Sequence, residues 1–294
     1  MSKWRPTEKN CIYVIADIHG ALDLVKKITD RIFPLRKSDG GKDKLIFLGD
    51  YIDRHVDSHK VLDYLIEIKK EYPDQIEFLM GNHELMLLQA LDCVPEGLTH
   101  RTAPKSQEAV WNMWRENGGL ETILGYMKRH WMATDDLIYL SKERLKDLIP
   151  AEHIHFLQEL KKYHQIDNYL FVHGGINPYK KPEDQDLEVL VWDRSVLKFV
   201  LENIKAEKKE LPWDQILVTG HNVMSNKQPI VADKFLMLDC GSPRQLLVTE
   251  LQSMESYMAY PEQGRMVKFE LKETELPKPI FKRVATAGSS NEKD

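Results

Sequence analysis

Ile12-Tyr13-Val14-Ile15-Ala16-Asp17-Ile18-His19-Gly20 sets five apolar residues in a row ahead of an Asp, a His and a Gly. A short run rich in β-branched residues, closed by polar residues and glycine, reads as a buried strand. The figure returns twice. Leu45-Ile46-Phe47-Leu48 runs into Gly49-Asp50, and Ile76-Glu77-Phe78-Leu79-Met80 runs into Gly81-Asn82-His83-Glu84. Between the runs the period becomes helical. Leu22, Val25, Ile28 and Ile32 share one side of residues 21–33. Val61, Leu62, Leu65, Ile66 and Ile68 form an apolar face after Ser58, a candidate helix cap. This alternation predicts a βαβαβ unit, and hence a largely parallel sheet with helices on its faces. Ligands of such sheets bind beyond the carboxyl ends of the strands. Asp17, His19, Asp50, Asn82 and His83 all fall just past strand ends, so three neighbouring strands deliver them to one edge.

Outward from this unit, residues 85–160 read as helical, with breaks at Pro95, Pro104, Gly118-Gly119 and Pro150. Their histidines, His100, His130, His153 and His155, read as surface or packing residues. Strand character returns at 169–172, 216–219, 235–238, 246–250 and 266–271, which predicts a second sheet packed against the first. The end of the chain, small and polar from Ala287, is expected to be mobile. No internal repeat is visible.

Two later blocks resemble the first three in composition: His173-Gly174-Gly175 and Gly220-His221. The five blocks together offer Asp, Asn and His side chains, nearly all beside a glycine that lets the backbone turn sharply. Asp17, Asp50 or Asn82 alone would be an ordinary helix cap. As a set with the blocks' four histidines they offer oxygen and imidazole ligands, which suit Mn, Fe, Zn, Co or Ni and argue against an iron–sulfur cluster or an all-thiolate zinc site.

Composition narrows the rest. An apolar share of 42% and a charged share of 30% over 294 residues fit a globular chain. The net charge of −5, from 41 basic and 46 acidic residues, supplies no global field for nucleic acid or acidic membranes. Neither partner is expected. Cys11, Cys93 and Cys240 lack metal-type spacing and cannot all pair, which fits a reducing compartment. Cys11 and Cys240 read as small buried strand residues. Met1-Ser2-Lys3-Trp4-Arg5-Pro6 has no apolar run behind it, and no stretch approaches the roughly 18 apolar residues of a membrane span. A soluble, cytoplasmic protein is expected.

The five blocks resemble those of the calcineurin-like metallophosphoesterases, and more narrowly the bacterial and phage branch of the phosphoprotein phosphatase superfamily. Trp114-Arg115-Glu116-Asn117-Gly118-Gly119, Phe156-Leu157 and Val191-Trp192-Asp193-Arg194 extend the likeness over about residues 11–250. A lone block would be weak evidence; five in order are not. The resemblance implies an α/β fold in which two mixed sheets form a central sandwich flanked by helices. It would occupy one catalytic domain over 1–275, with a helical insert around 85–160 and a C-terminal extension at 276–294.

It also implies a site with two divalent or trivalent metal ions, Mn foremost, with Fe or Zn as alternatives. Asp17 and His19 would bind the first metal, Asp50 would bridge both, and Asn82, His173 and His221 would bind the second. A hydroxide between the metals would attack in line. Arg54 and Arg194 would grip the phosphate. His83 would be the general acid, oriented by Asp53. Rival roles are His83 as a metal ligand, Arg54 paired with Asp57 or Glu84, and Arg194 paired with Asp193 or Glu188. Glu84 reads as a support or helix start.

Implied functions, in order, are a serine/threonine protein phosphatase, a symmetrical dinucleoside polyphosphate (diadenosine tetraphosphate) hydrolase, and a catalytically inactive phosphatase-like scaffold. The partner is accordingly a phosphoprotein or a small phosphorylated substrate; oligomeric state is not legible. Three departures from the usual family pattern stand out: His55 for glycine, Asn222 for threonine, and Cys240 within the usual Asp-Thr-Gly.

Overall fold

In the computed structural model, which describes residues 10–36, 42–96, 98, 106–206, 211–261 and 266–272, the opening unit folds as its periodicity requires. Strands β1 (Ile12–Ile15), β2 (Lys44–Phe47) and β3 (Ile76–Phe78) lie side by side and parallel. Helices α1 (Leu22–Ile32) and α2 (Ser58–Glu71) connect them. α1 buries Leu24, Val25, Ile28 and Ile32, and it stops before Pro34, which disfavours helix in the residue ahead of it. α2 buries all five of the expected apolar residues. Its cap corrects the reading of Ser58. Asp57 is the N-cap, and the Ser58 hydroxyl donates to His55 O at 2.6 Å instead of accepting from the helix.

The helical segment expected as an insert around 85–160 contains the rest of α3 (Asn82–Ala90), then α4 (Gln107–Trp114), a kink at Arg115–Gly119 where Gly118 leaves helical backbone, α5 (Leu120–Arg129), α6 (Lys142–Leu148) and α7 (Ala151–Gln158). The second sheet then forms from β4 (His164–Ile166), β5 (Tyr169–Phe171), β6 (Ile216–Thr219), β7 (Ile230–Ala232) and β8 (Phe235–Met237). Helices α8 (Leu187–Trp192) and α9 (Ser195–Lys205) lie between β5 and β6. Its order is β4-β5-β6-β8-β7, with β5, β6 and β8 parallel.

The last three strands depart from expectation. β9 (Leu246–Glu250), β10 (Ser256–Ala259) and β11 (Met266–Phe269) return to the first sheet, whose order is β11-β10-β9-β1-β2-β3. β9 runs antiparallel beside β1.

The two sheets are mixed, and alternation along each strand divides the core in two. Ile12, Val14, Ile46, Phe171, Val218, Leu236, Leu247 and Met258 meet between the sheets. Tyr13, Ile15, Leu45, Phe47, Val172, Leu217 and Val248 face the helices. β1, and β2 after Lys44, are buried on both faces, which is why they read as continuous apolar runs. Among the described residues no helix is long and apolar enough to cross a membrane. The expected C-terminal extension lies outside the described residues.

The insert's histidines fall as follows. His153 is buried between Tyr126 Oη at 2.7 Å and Asp63 Oδ1 at 2.9 Å. His130 and His155 are exposed, bonded to Leu148 O and paired with Glu159 respectively. His100 lies outside the described residues.

Candidate metal centre

Parallel strands in both sheets end at one edge of the sandwich, and each end supplies a polar side chain. Asp17 and His19 follow β1, Asp50 follows β2, Asn82 and His83 open α3 after β3, His173 follows β5 and His221 follows β6. All seven are buried. None of Asp17, Asp50 and Asn82 is the N-cap of the helix that follows it: those caps are Ala21, Asp57 and Gly81.

Two groups of donor atoms, each within 4.8 Å of one another, share Asp50: His19, Asp50 and His83, and Asp50, His173 and His221. Asp50 Oδ2 lies 3.6 Å from His19 Nε2 and 3.8 Å from His83 Nε2, while Oδ1 lies 3.3 Å from His173 Nε2. Asp17 Oδ2 stands 3.9 Å from His19 Nε2, and Asn82 Oδ1 stands 3.0 Å from His173 Nε2.

The donor set fits cations. His19 Nε2 and His221 Nε2 are buried without a hydrogen-bond partner, a costly state that a metal would relieve. Each ring keeps the form a ligand needs, since burial holds both imidazoles well below their ordinary pKa. His19 Nδ1 donates to Ile52 O at 2.9 Å, which directs Nε2 inward. His173 is different. Burial opposes its charge, but the Asp50 and Asp17 carboxylates raise it to about 9. Its Nε2 proton faces Asn82 Oδ1 and Asp50 Oδ1, so a proton there and a cation beside it compete for the same two oxygens.

The other sequence candidates cluster here too. His83 Nδ1 donates to Asp53 Oδ2 at 2.7 Å, leaving Nε2 to accept from Arg54 Nη2 at 3.1 Å. Unlike the Nε2 atoms of His19 and His221, that of His83 therefore has a partner. Against burial, the Asp50 charge and the Asp53 hydrogen bond raise the His83 pKa. Asp57 pairs with Lys60, and Glu84 is spent on backbone groups. Arg194 Nη1 donates to Asn222 Oδ1 at 2.7 Å, while Asp193 accepts from Val196 N and Ser195 Oγ at the start of α9. Both arginines are exposed at the mouth, and Arg54 is among the charges acting on Arg194.

The departures acquire local roles. Asn222 holds Arg194, and His55 Nδ1 accepts from Asp57 N at 3.1 Å, closing its own turn. One buried acid escaped the sequence reading. Asp239, after β8, hydrogen-bonds Asp17, and burial together with the Asp239 charge raises the Asp17 pKa well above the usual carboxylate range. The signal was present: Phe235-Leu236-Met237-Leu238-Asp239 repeats the figure of an apolar run ending in Asp.

Glu84 locks two blocks together. Its Oε2 accepts from Asp50 N at 2.8 Å and Gly81 N at 3.1 Å, and Oε1 from Tyr51 N at 2.7 Å and Ile52 N at 3.2 Å. Gly49 permits the approach, with φ 111° and a hypothetical Cβ only 2.6 Å from Gly81 N. Glu84→Gln is expected to lower the unfolding free energy by about 2–4 kcal/mol, because an amide can serve only half of those donors. Denaturant unfolding curves that coincide with wild type would show that the clamp contributes little.

The calcineurin-like phosphoesterase family model matches residues 12–235 of this chain. The chain belongs to that family. Among curated relatives, this phosphoesterase is 32% identical over 82 residues to the symmetrical bis(5'-nucleosyl)-tetraphosphatase of Pseudomonas fluorescens (strain SBW25). That stretch is 28% of this chain and 26% of the relative. It is 38% identical over 74 residues to the serine/threonine-protein phosphatase 4 catalytic subunit of Eremothecium gossypii, covering 25% of this chain and 22% of that one. The matches thus span about a quarter of these relatives' own lengths. A solved structure provisionally named a diadenosine tetraphosphatase superposes with TM-score 0.51 at 14% identity, over 87% of this chain and 96% of that one, and so shares the fold. Membership in a family of metal-dependent phosphoester hydrolases agrees with the resemblance carried by the five blocks.

Proposed function

We propose that this phosphoesterase is a two-metal phosphomonoesterase, and that its substrates are serine or threonine phosphoesters of proteins. The observation that carries the reading is the buried Asp53–His83 pair at 2.7 Å beside the shared Asp50 carboxylate. A phosphoester of serine or threonine leaves as an alkoxide, whose high pKa makes a proton donor valuable. Asp17, His19 and Asp50 would hold one ion, and Asp50, Asn82, His173 and His221 the other. When bound, the two ions supply Lewis acidity and a water acidified enough to act as nucleophile near neutral pH. Oxygen and imidazole donors suit Mn, Fe or Zn.

The chain's own residues supply the rest. Asp53 fixes the tautomer of His83, so any transferable proton sits on Nε2. Nε2 can hold that proton or the Arg54 hydrogen bond, not both. Protonating His83 therefore releases the Arg54 guanidinium toward the phosphate, where a planar fork matches two oxygens. Asn222 steers Arg194 to the same mouth. Cys11, Cys93 and Cys240 are buried and joined by no disulfide, which fits a reducing compartment such as the cytoplasm.

The tetraphosphatase relative supports a second reading, hydrolysis of a dinucleoside polyphosphate. Full-length enzyme loaded separately with Mn, Fe and Zn, and assayed on a phosphoserine peptide and on diadenosine tetraphosphate, decides between them. Phosphate release from the peptide is expected. Rapid dinucleotide cleavage without peptide hydrolysis would replace the first reading by the second.

A further inference from the structure

Asp53 and Arg54 both adopt left-handed backbone, with φ 71° and 63°, a region that non-glycine residues seldom enter without support. The support comes from the insert. Asp53 N donates to Thr122 Oγ1 at 2.9 Å, and Arg54 N donates to Gly118 O at 2.9 Å. Gly118, at φ 107°, makes this approach possible, since a Cβ there would lie 2.8 Å from Arg54 Cγ.

The Asp53 side chain is held from the same direction. Thr122 Oγ1 donates to Asp53 Oδ1 at 2.7 Å, so one hydroxyl grips both the backbone and the carboxylate of Asp53. Trp114 Nε1 donates to Oδ2 at 3.0 Å, the oxygen that also accepts from His83. Asp53, Trp114 and Thr122 are all fully buried, with 0% exposure, so water offers no replacement for a lost partner.

Taken with His83 as the leaving-group acid, on which this step rests, the geometry points to Trp114 and Thr122 as positioning residues. They fix Asp53, and Asp53 fixes His83. The acid is thus aimed by the helical insert, whereas the candidate metal ligands are held by strand ends and by Glu84. The two halves of the site have separate supports, and loosening the insert should harm proton donation while sparing the metals.

The test compares Mn-loaded wild type, Trp114→Phe, Thr122→Val and Thr122→Ser on a phosphoserine peptide and on p-nitrophenyl phosphate. Phe keeps the ring's packing and removes the donor; Val keeps the shape of Thr and removes the hydroxyl; Ser restores it. Kcat on the alkyl ester should fall roughly 10–100-fold in Trp114→Phe and Thr122→Val, the usual cost of losing an outer support. Kcat on the aryl ester should change little, because phenolate leaves without help. Metal content and KM should stay at wild-type values, and Thr122→Ser should recover most of the alkyl rate.

Equal losses on both esters, or metal loss with them, would mean that the residues only hold the fold, and would overturn the proposal. Unchanged alkyl rates would overturn it as well. The underlying reading fails in a different way: wild-type enzyme would hydrolyse neither ester, or the aryl ester alone.

Discussion

Replacing His83 by Asn is expected to slow hydrolysis of an alkyl phosphate roughly 10²–10⁴-fold, the range set by loss of a positioned general acid, and to leave the metal content at its wild-type value. The expectation rests on how the two ends of the ring are used. Nδ1 is committed to Asp53, and Nε2 already has Arg54 at 3.1 Å. A histidine whose inward nitrogen has a protein partner differs from His19 and His221, whose inward nitrogens have none. His83 nevertheless lies close enough to His19 and Asp50 to complete a metal group, so its two possible roles make opposite predictions for metal content.

If His83 is the acid, elemental analysis finds wild-type metal in His83→Asn, and p-nitrophenyl phosphate suffers much less than a phosphoserine peptide. If it is a ligand, metal is lost and both substrates slow together. Asn suits the test because it is close in size, and its amide can still meet Asp53. A variant with full metal and equal losses on both esters would remove proton donation from the mechanism.

Much of this site was legible because each block obeys a local rule. β1, and β2 after Lys44, are buried on both faces and apolar without interruption, so the polar residue ending each run is conspicuous. β5 and β6 carry the same signature ahead of His173 and His221. β4 and β7 lack it. Each has three residues and lies at a sheet edge, and β4 is His-Gln-Ile with no fully buried side chain. β10 begins with a serine whose hydroxyl donates to Thr249 inside the sheet, so a buried strand begins with a polar residue.

The return of β9 to β1 was illegible for another reason. An apolar run specifies burial but not which sheet provides it, and the antiparallel pairing of Tyr13 with Glu250 joins residues far apart in the chain. The contacts that Trp114 and Thr122 make were beyond sequence reading on the same grounds. They meet Asp53 across separations of 61 and 69 residues; the resemblance marks Trp114 without saying what it touches, and Thr122 is in sequence an ordinary member of an amphipathic helix. Asp239 shows the converse case, a residue with a clear local signature whose partner, Asp17, lies on the other sheet.

Asp50→Asn should abolish tight binding of both metals and cut activity by roughly 10³-fold or more, since Lewis acidity and nucleophile are lost together. Asp50 is the residue common to the two donor groups, with one oxygen facing His173 and the other facing His19. An amide presents one oxygen and no charge, so it would be a poor shared ligand for two cations, whose repulsion a carboxylate would offset. The fold should survive. Asn can still accept the His83 backbone N–H that Asp50 Oδ1 takes at 3.1 Å, which keeps the start of α3 in place.

For the metal-free protein two changes oppose each other. The variant loses attraction to the His173 imidazolium and relieves repulsion from Asp17 and Glu84, two of the carboxylates that face Asp50. The lost attraction is the larger, because against burial the neighbouring imidazoles hold the Asp50 carboxyl well below its ordinary pKa, so the metal-free variant should be less stable than metal-free wild type by about 3 kcal/mol. The informative measurement is the thermal midpoint with and without Mn. Wild type should gain stability on metal addition, because a ligand that binds only the folded state shifts the equilibrium toward it. Asp50→Asn should gain almost none. A variant that keeps two equivalents of metal and the full thermal shift would show that Asp50 does not bridge, and that the ions are held by two independent sets of ligands.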